Sequence, residues 1–240
     1  MNLLTSLKAW TSFIFLLVTL VGACVPEESD DDYRVYDLSG FEVRVEIRAL
    51  EINEERTQEA IDLLEENLQE ITTLSLNDAI MDALQSVVIF VDWNTSNRTA
   101  LYHPSLTWLQ NNGYTEEKYR SVEIPNLTMY LENTRLNHPY IILHELAHAY
   151  HHQVLGSSDE FITEAFENAR ANGLYRDVTY DTGTEVIHAP LSYAYTNERE
   201  YFAELTETYF GWNNYFPFIR IELETYDSIG YEMIEIAWEQ

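Results

Sequence analysis

The chain has 240 residues, of which 41 are aspartate or glutamate and 13 are lysine or arginine, so its formal net charge at pH 7 is −28. This charge argues against binding to nucleic acid or to anionic lipid, and it favours neutral or cationic substrates only loosely. The sequence has no internal repeat and no glycine- or serine-rich linker, and its length suffices for one domain with a sizeable core.

Residues 1–23 have the pattern of a signal peptide. Lys8 supplies a positive charge, and a largely apolar run from residue 13 to residue 21 follows it, too short for a comfortable membrane span. The sequence VGAC, which ends at Cys24, resembles a bacterial lipobox, where the chain is cut before a cysteine that then carries lipid. Because the chain has one cysteine, a lipid anchor fits better than a free thiol. We therefore predict an exported lipoprotein of the cell envelope, attached to the outer membrane only through the lipid on Cys24, with a secreted protein as the alternative.

Residues 24–32 contain the acidic stretch PEESDDD, which we expect to be a disordered, solvated tether. This stretch also resembles the acidic segment after the lipid cysteine in surface-exported lipoproteins of some Gram-negative bacteria, which implies that the protein faces outward. We expect residues 33–240 to form a single domain that acts as a monomer.

Strand and helix patterns alternate in the first half of this domain. Alternating apolar and charged residues predict a strand over 41–48, and apolar residues at helical spacing predict a helix over 53–71. Further elements are predicted in the order helix 76–84, strand 87–91, helix 105–112 ended by Gly113, strand 121–124 and strand 129–131.

One of these strands is a candidate for substrate binding. Residues 122–125 end in Pro125, which cannot donate a hydrogen bond and is tolerated at a sheet edge. An exposed edge can align an extended peptide by main-chain hydrogen bonds. We therefore expect this strand to form the edge.

The motif HELAH, residues 144–148, carries the strongest chemical signal. His144 and His148 are one helical turn apart, about 5–6 Å between Cβ atoms, so both imidazoles can reach one Zn²⁺. Glu145 then lies where a general base could act on a water whose pKa the metal has lowered. The surrounding residues are apolar, as in a buried helix. The motif predicts a zinc-dependent hydrolase, and the alternative is a pair of core histidines with satisfied ring nitrogens.

A catalytic zinc site also needs a third protein ligand and an open position. His151 and His152 do not qualify, because His152 lies about 6 Å further along a continuous helix than His148. We interpret both as polar residues at a helix end, where the helix dipole favours them. Glu164 and Glu167 lie 16 and 19 residues after His148 and stay as alternative ligands.

The stronger candidate for the third ligand is Glu200, which lies 52 residues after His148. Glu200 and Glu204 are one turn apart on a second predicted helix with an apolar face. One carboxylate can bind the metal while the other accepts the free ring N–H of a ligating histidine. A pair of solvated glutamates is the alternative.

The segment SYAYTNEREYFAE, residues 192–204, resembles the segment S-Y-x-x-T-N-E-x-E-F-F-A-E in the catalytic domain of anthrax lethal factor, a zinc metalloprotease toxin of the gluzincin type. The resemblance implies that Glu200 is the third zinc ligand. It also implies that the Tyr193 hydroxyl points at the metal site, where it assists the transition state. With HELAH, the resemblance covers residues 138 to 210 and does not extend to the toxin's other domains.

Three further segments, YHPSLTWLQNNGY, VEIPN and EYFAELTETYFGWNNYFPF, resemble a group of secreted bacterial and fungal metallopeptidases. This second resemblance spans most of the mature chain. It implies an α+β, zincin-like domain with a small mixed sheet, an HExxH active-site helix and a mostly helical C-terminal lobe.

Together these observations predict a zinc-dependent endopeptidase that holds one Zn²⁺ and acts on a peptide or protein substrate. We expect Glu145 to take a proton from the attacking water and to pass it to the leaving nitrogen. We expect Tyr193 to stabilise the oxyanion, with Tyr195 as the fallback. The other histidines considered as donors are expected to be structural: His103, His138 and His188.

Two other functions stay open at this point. The protein could be a lipid-anchored binding module that contains zinc and has no turnover. It could also be a zinc amidase that acts on a non-peptide amide, such as a cell-wall component.

Overall fold

The computed structural model describes residues 27–28 and 32–239. The predicted signal peptide and Cys24 lie outside these described residues, as does most of the predicted acidic tether. Within that tether, Glu27–Glu28 pair with the following strand, which differs from the expected disorder. Among the helices of the described residues, none is both long enough and apolar enough to span a membrane.

The described residues form an α+β structure around one small mixed sheet, as the sequence predicts. The sheet runs in the order β1-β2-β3-β4-β6-β5, in which β4 is parallel to β3 and β6 and the other neighbours are antiparallel. Its strands are β1 Glu27–Glu28, β2 Tyr33–Leu38, β3 Phe41–Glu46, β4 Ile89–Val91, β5 Leu101–Tyr102 and β6 Val122–Ile124.

Helices cover most of the remaining chain. They are α1 Ile47–Ile52, α2 Glu54–Thr72, α3 Asp78–Gln85, α4 Leu106–Asn112, α5 Leu127–Leu136, α6 Ile141–Tyr150, α7 Glu160–Ala171, α8 Glu198–Phe210, α9 Arg220–Tyr226 and α10 Ser228–Glu239. A hairpin of β7 Arg176–Asp181 and β8 Val186–Leu191 separates α7 from α8. Several helices begin at an asparagine whose side chain accepts a backbone N–H of the first turn, and Gly113 ends α4 in the left-handed conformation at φ 75°.

The predicted helices 53–71, 76–84 and 105–112 and the strands near 41–48, 87–91 and 121–124 are confirmed to within a few residues. The strand predicted at 129–131 is wrong, because this segment belongs to α5. The Asn126 side chain accepts the N–H of Met129 at 3.0 Å and so starts a helix there. Tyr130 and Leu131 are then buried on its inner face.

The edge predicted at residues 122–125 is also wrong. Strand β6 lies between β4 and β5, so its backbone is paired on both sides, and Pro125 follows the strand instead of lying within it. The short strand β5 is at the edge. Any substrate that adds to this side of the sheet would therefore contact β5.

A buried cluster of charged side chains connects the chain segments at β4, β5 and β6. Lys118 Nζ donates to Glu123 Oε1 at 2.7 Å and also to Asp92, and His103 Nε2 lies 2.6 Å from Glu123 Oε2. Tyr33 donates its hydroxyl to Asp92 at 3.1 Å. The side chains of Lys118, Glu123, Asp92 and His103 are each at most 5% exposed, so these four groups belong to the core.

Helix α6 occupies the centre of the fold. It packs against β5 and β6 on one side and against α8 on the other. Its apolar residues are almost fully buried: Ile142, Leu143, Leu146, Ala147 and Ala149. The predicted buried helix around the HELAH motif is therefore confirmed, and α6 and α8 face each other along their polar positions.

Candidate metal centre

Two histidines of α6 and one glutamate of α8 converge in the structure. His144 Nε2 lies 3.3 Å and His148 Nε2 lies 3.1 Å from the same oxygen, Glu200 Oε2. Asn197 accepts the backbone N–H of Glu200 at 3.1 Å, which fixes the first turn of α8 and the position of Glu200. These three residues form a group that could hold a metal ion.

The spacing of these atoms fits a small divalent cation. A tetrahedral ion bound at about 2.0–2.1 Å holds neighbouring ligand atoms about 3.3 Å apart. The charges around His144 also favour a cation at this position. Burial alone would lower the pKa of His144, but Glu200 and Glu207 raise it well above the ordinary value. The site therefore favours a positive charge between the imidazoles and Glu200, which either a proton or a metal ion can supply.

A second glutamate of α8 supports His144 from the other side of its ring. Glu207 Oε1 accepts a hydrogen bond from His144 Nδ1 at 2.6 Å, and His138 Nε2 lies 3.3 Å from the same oxygen. Burial raises the pKa of Glu207, but His138 and His144 outweigh it and lower the pKa to about 2. These three groups could also hold a metal. However, a separation of 2.6 Å is that of a hydrogen bond and is too short for two ligands of one ion.

The sequence prediction assigned this supporting contact to Glu204. In the structure Glu204 Oε1 is 3.7 Å from His144 Nδ1, while Glu204 Oε2 accepts from Asn213 at 3.1 Å. Burial and the charge of Glu207 raise the pKa of Glu204 to about 7. The supporting contact comes from Glu207, one turn beyond Glu204 on α8, because the Nδ1 atom of His144 lies on the side of the ring away from Glu200. Sequence reasoning missed Glu207, although three glutamates at positions i, i+4 and i+7 of one helix face were a signal.

Glu145 is the only carboxylate of α6, and it is buried. It is 6% exposed, and its Oε2 accepts the backbone N–H of Tyr102 in β5 at 2.7 Å. Oε1 has no hydrogen-bond partner among residues 32–239. One oxygen of Glu145 is thus tied to the edge strand and the other is left available.

The candidate ligands lie in an open cleft of about 750 Å³ between β5, α6 and α8. Glu145, His148 and Glu200 line the cleft, and so does Tyr193. The ring centroid of Tyr193 is 6.4 Å from that of His144. Burial and the charge of Glu200 raise the pKa of Tyr193, so its phenol keeps its proton at neutral pH. Tyr193 is therefore a neutral hydrogen-bond donor beside the candidate metal ligands.

The other residues predicted for the oxyanion donor and for the third metal ligand do not approach the two histidines. Tyr195 packs between two guanidinium groups, Arg170 at 5.5 Å and Arg176 at 5.7 Å from its ring, and is not among the cleft-lining residues. Glu164 and Glu167 are exposed on α7, where Glu167 pairs with Arg170 at 3.2 Å. The structure thus brings Glu200, and not Glu164 or Glu167, to the two histidines.

The remaining histidines differ in their surroundings. His103 is buried in the charged cluster, and the exposed His188 lies 3.4 Å from Asp177. His138 both lines the cleft and contacts Glu207, so it is more closely tied to the site than expected. His152 lines the cleft and forms a 2.8 Å hydrogen bond with the Tyr102 hydroxyl.

The interpretation of His151 as a polar helix-end residue is wrong. Its side chain is 1% exposed, its ring centroid is 5.3 Å from that of Phe202, and burial lowers its pKa to about 4. The chain continues from α6 into a π-helical turn, His151–Gly156. This wider turn directs His151 toward α8, where it is buried as a neutral ring.

Comparison with known proteins adds no relative. No protein-family model matches the chain, no curated protein matches it, and no solved structure matches it. The functional conclusion therefore depends on the geometry of the site.

Proposed function

We propose that the protein is a zinc-dependent endopeptidase with a zincin-like fold, exported as a cell-envelope lipoprotein. One observation carries the proposal: two imidazole nitrogens and one carboxylate oxygen converge in an open cleft that Glu145 also lines. His144, His148 and Glu200 would hold one Zn²⁺. Two imidazoles and a carboxylate with one open position are a typical ligand set of catalytic zinc.

When bound, zinc lowers the pKa of a water molecule and stabilises negative charge on the substrate carbonyl oxygen. Glu145 takes the proton from the attacking water through its free oxygen and passes it to the leaving nitrogen. The hydrogen bond from Tyr102 to the other oxygen of Glu145 holds the carboxylate in place during both transfers. The support of Glu207 keeps the Nε2 atom of His144 directed at the cleft.

Tyr193 supplies a second source of stabilisation. Its phenol lines the cleft near His144 and carries a proton at neutral pH. A neutral donor placed where the oxyanion develops stabilises the transition state more than the bound substrate. We assign this role to Tyr193.

The edge strand supports a peptide as the substrate. His103 N and O both pair toward β6, with Ser121 O at 3.0 Å and Arg120 N at 2.8 Å. Because successive residues of a strand alternate in direction, we expect the carbonyl of Tyr102 to face the cleft, and the same alternation would direct both backbone groups of Ala100, which precedes β5, to the same side. An extended peptide can pair with the carbonyl of Tyr102 and with both groups of Ala100.

The deciding experiment compares the wild-type protein with Glu145→Gln for zinc content and for cleavage of a diverse peptide pool. We expect about one zinc per chain in both proteins and cleavage by the wild type alone. If neither protein binds zinc, the proposal is wrong. If both bind zinc and neither cuts, a binding module or an amidase for non-peptide substrates replaces it, and amide-linked glycans separate these two.

A further inference from the structure

One end of the cleft carries unpaired positive charge. At the C-terminal end of α6, His152 and Arg199 both line the cleft. Arg120 lies next to them: its backbone N–H donates to His103 O at 2.8 Å, and its carbonyl accepts from Gln153 at 3.4 Å. We refer to Arg120, His152 and Arg199 as the arginine end.

Among residues 32–239, six of the eleven arginines have a carboxylate within 4.0 Å, and Arg120 and Arg199 belong to the five that do not. Six other basic side chains form ion pairs at 3.5 Å or less: Arg44, Arg56, Lys118, Arg135, Arg170 and Arg220. Arg120 and Arg199 are exposed, and neither forms an ion pair with any residue from 32 to 239. Their charge is therefore available to a ligand.

The direction of the pKa shift of His152 also indicates positive charge at the arginine end. Burial lowers the pKa of His152, and the charges of Arg120 and Arg199 lower it further. Arg120 also holds a left-handed backbone conformation, φ 63°, which non-glycine residues rarely adopt. The guanidinium carbon of Arg120 lies 5.2 Å from the centroid of the Tyr119 ring.

We propose that the arginine end is a subsite for a carboxylate of the substrate, namely an aspartate or glutamate side chain of the bound peptide. A guanidinium group matches a carboxylate in both charge and geometry. The overall charge of −28 repels acidic peptides at long range, and the arginine end offsets this repulsion at one position of the substrate. The proposal deepens the proposed peptidase function and rests on it, since it takes the occupant of the cleft to be a peptide.

The test measures binding separately from turnover. Fluorescein-labelled peptides, each with one glutamate or one glutamine at a given position of a neutral sequence, are titrated with zinc-loaded Glu145→Gln protein and followed by fluorescence polarisation. We expect glutamate to be preferred about three- to tenfold over glutamine at one or two neighbouring positions, and the preference to fall as salt rises. Arg199→Gln and Arg120→Gln, each combined with Glu145→Gln, should remove it.

Arg98 provides a matched control. It is an exposed arginine that lines the cleft before β5, and it too forms no ion pair within residues 32–239. Arg98→Gln should leave the preference intact. Equal binding of glutamate and glutamine peptides at every position would overturn the proposal, and so would an equal loss in Arg98→Gln.

The two proposals fail in different ways. If the wild type cuts peptides but shows no preference for glutamate in binding or cleavage, the subsite is refuted and the peptidase function stands. If the peptides bind with the expected preference but are not cut, the subsite stands and the peptidase function is refuted.

Discussion

Glu207 Oε1 lies 2.6 Å from His144 Nδ1, and neither side chain is more than 4% exposed. This contact fixes the orientation of the imidazole and raises its basicity toward a metal. We predict that Glu207→Gln weakens zinc binding about 10- to 100-fold. Competition with a chelator of known affinity measures the change.

Glu204→Gln is the matched control for this prediction. Glu204 is equally buried on the same helix, but it lies 3.7 Å from His144, and its pKa of about 7 leaves it partly protonated. A neutral amide should therefore replace it with a smaller loss of zinc affinity. A larger loss in Glu204→Gln than in Glu207→Gln would return the supporting role to Glu204.

Removal of Glu200, the proposed third ligand, should release the metal. We predict that Glu200→Ala lowers the zinc content of the purified protein to a small fraction of one per chain, because two histidines alone bind weakly. Glu164→Ala, an exposed change on α7, should keep full zinc content. Metal analysis after dialysis measures both variants, and the reverse result would contradict the assignment of Glu200.

Loss of the Tyr193 hydroxyl should affect turnover and not metal binding. We predict that Tyr193→Phe lowers kcat about 100- to 1,000-fold with little change in KM and with full zinc content, because the donor acts on the transition state. Tyr195→Phe, whose ring lies between Arg170 and Arg176, should keep kcat. Steady-state kinetics on one cleaved peptide distinguishes the two tyrosines.

Lys118 should be a large contributor to stability. It is 5% exposed and is the only lysine among residues 32–239, where it faces Asp92 and Glu123. Lys118→Met leaves these carboxylates without their positive partner, and we expect a loss of about 3–5 kcal/mol in the free energy of unfolding. Arg48→Met, at an exposed arginine 3.9 Å from Glu46, should cost less than about 1 kcal/mol in the same urea titration.

The same cluster predicts a dependence of stability on pH. Burial raises the pKa of Glu123, but His103, Asp92 and Lys118 lower it to about 2, against 4.5 in the unfolded chain. Between these values the unfolded chain binds the proton and the folded chain does not, so stability is present above pH 4.5 and is lost as pH falls toward 2.

Asp92 has the opposite effect on the pH dependence of stability. Burial and the contact with Glu123 outweigh the effect of Lys118 and raise the pKa of Asp92 to about 7, so the stability that Asp92 contributes is lost as pH rises from 3.8 toward 7. Acid destabilisation by the cluster is therefore expected below pH 4.5. Urea unfolding at several pH values should show a smaller loss between pH 4.5 and 2 in Glu123→Gln than in the wild type. Equal losses would contradict the prediction.

The parts that could be predicted from sequence depend on local patterns. The HELAH motif and the helix 53–71 are set by spacing along one helix, and Gly113 marks the end of α4 by its own conformational preference. The prediction of Glu200 as a ligand depends on a recognisable segment, residues 192–204. None of these needs knowledge of how distant elements cross.

The parts that could not be predicted depend on tertiary contacts. Strand β5 has two residues, too few for a periodic pattern, yet it forms the edge of the sheet and holds Glu145. The choice between Glu204 and Glu207 depends on where α8 crosses α6, which no local pattern encodes. His151 is buried because a π-helical turn follows α6, whereas the sequence alone predicts a polar residue at a helix end.

The hydrogen bond from Tyr102 to Glu145 makes the position of the proposed general base depend on the sheet. Strand β5 would align the peptide and also fixes the base that acts on it, while β6 connects β5 to the charged cluster in the core. A small shift of this cluster would thus move substrate and base relative to Glu200, the candidate metal ligand on α8. Substitutions deep in the core, far from any substrate, are then expected to appear first as kinetic defects in a protein that still folds.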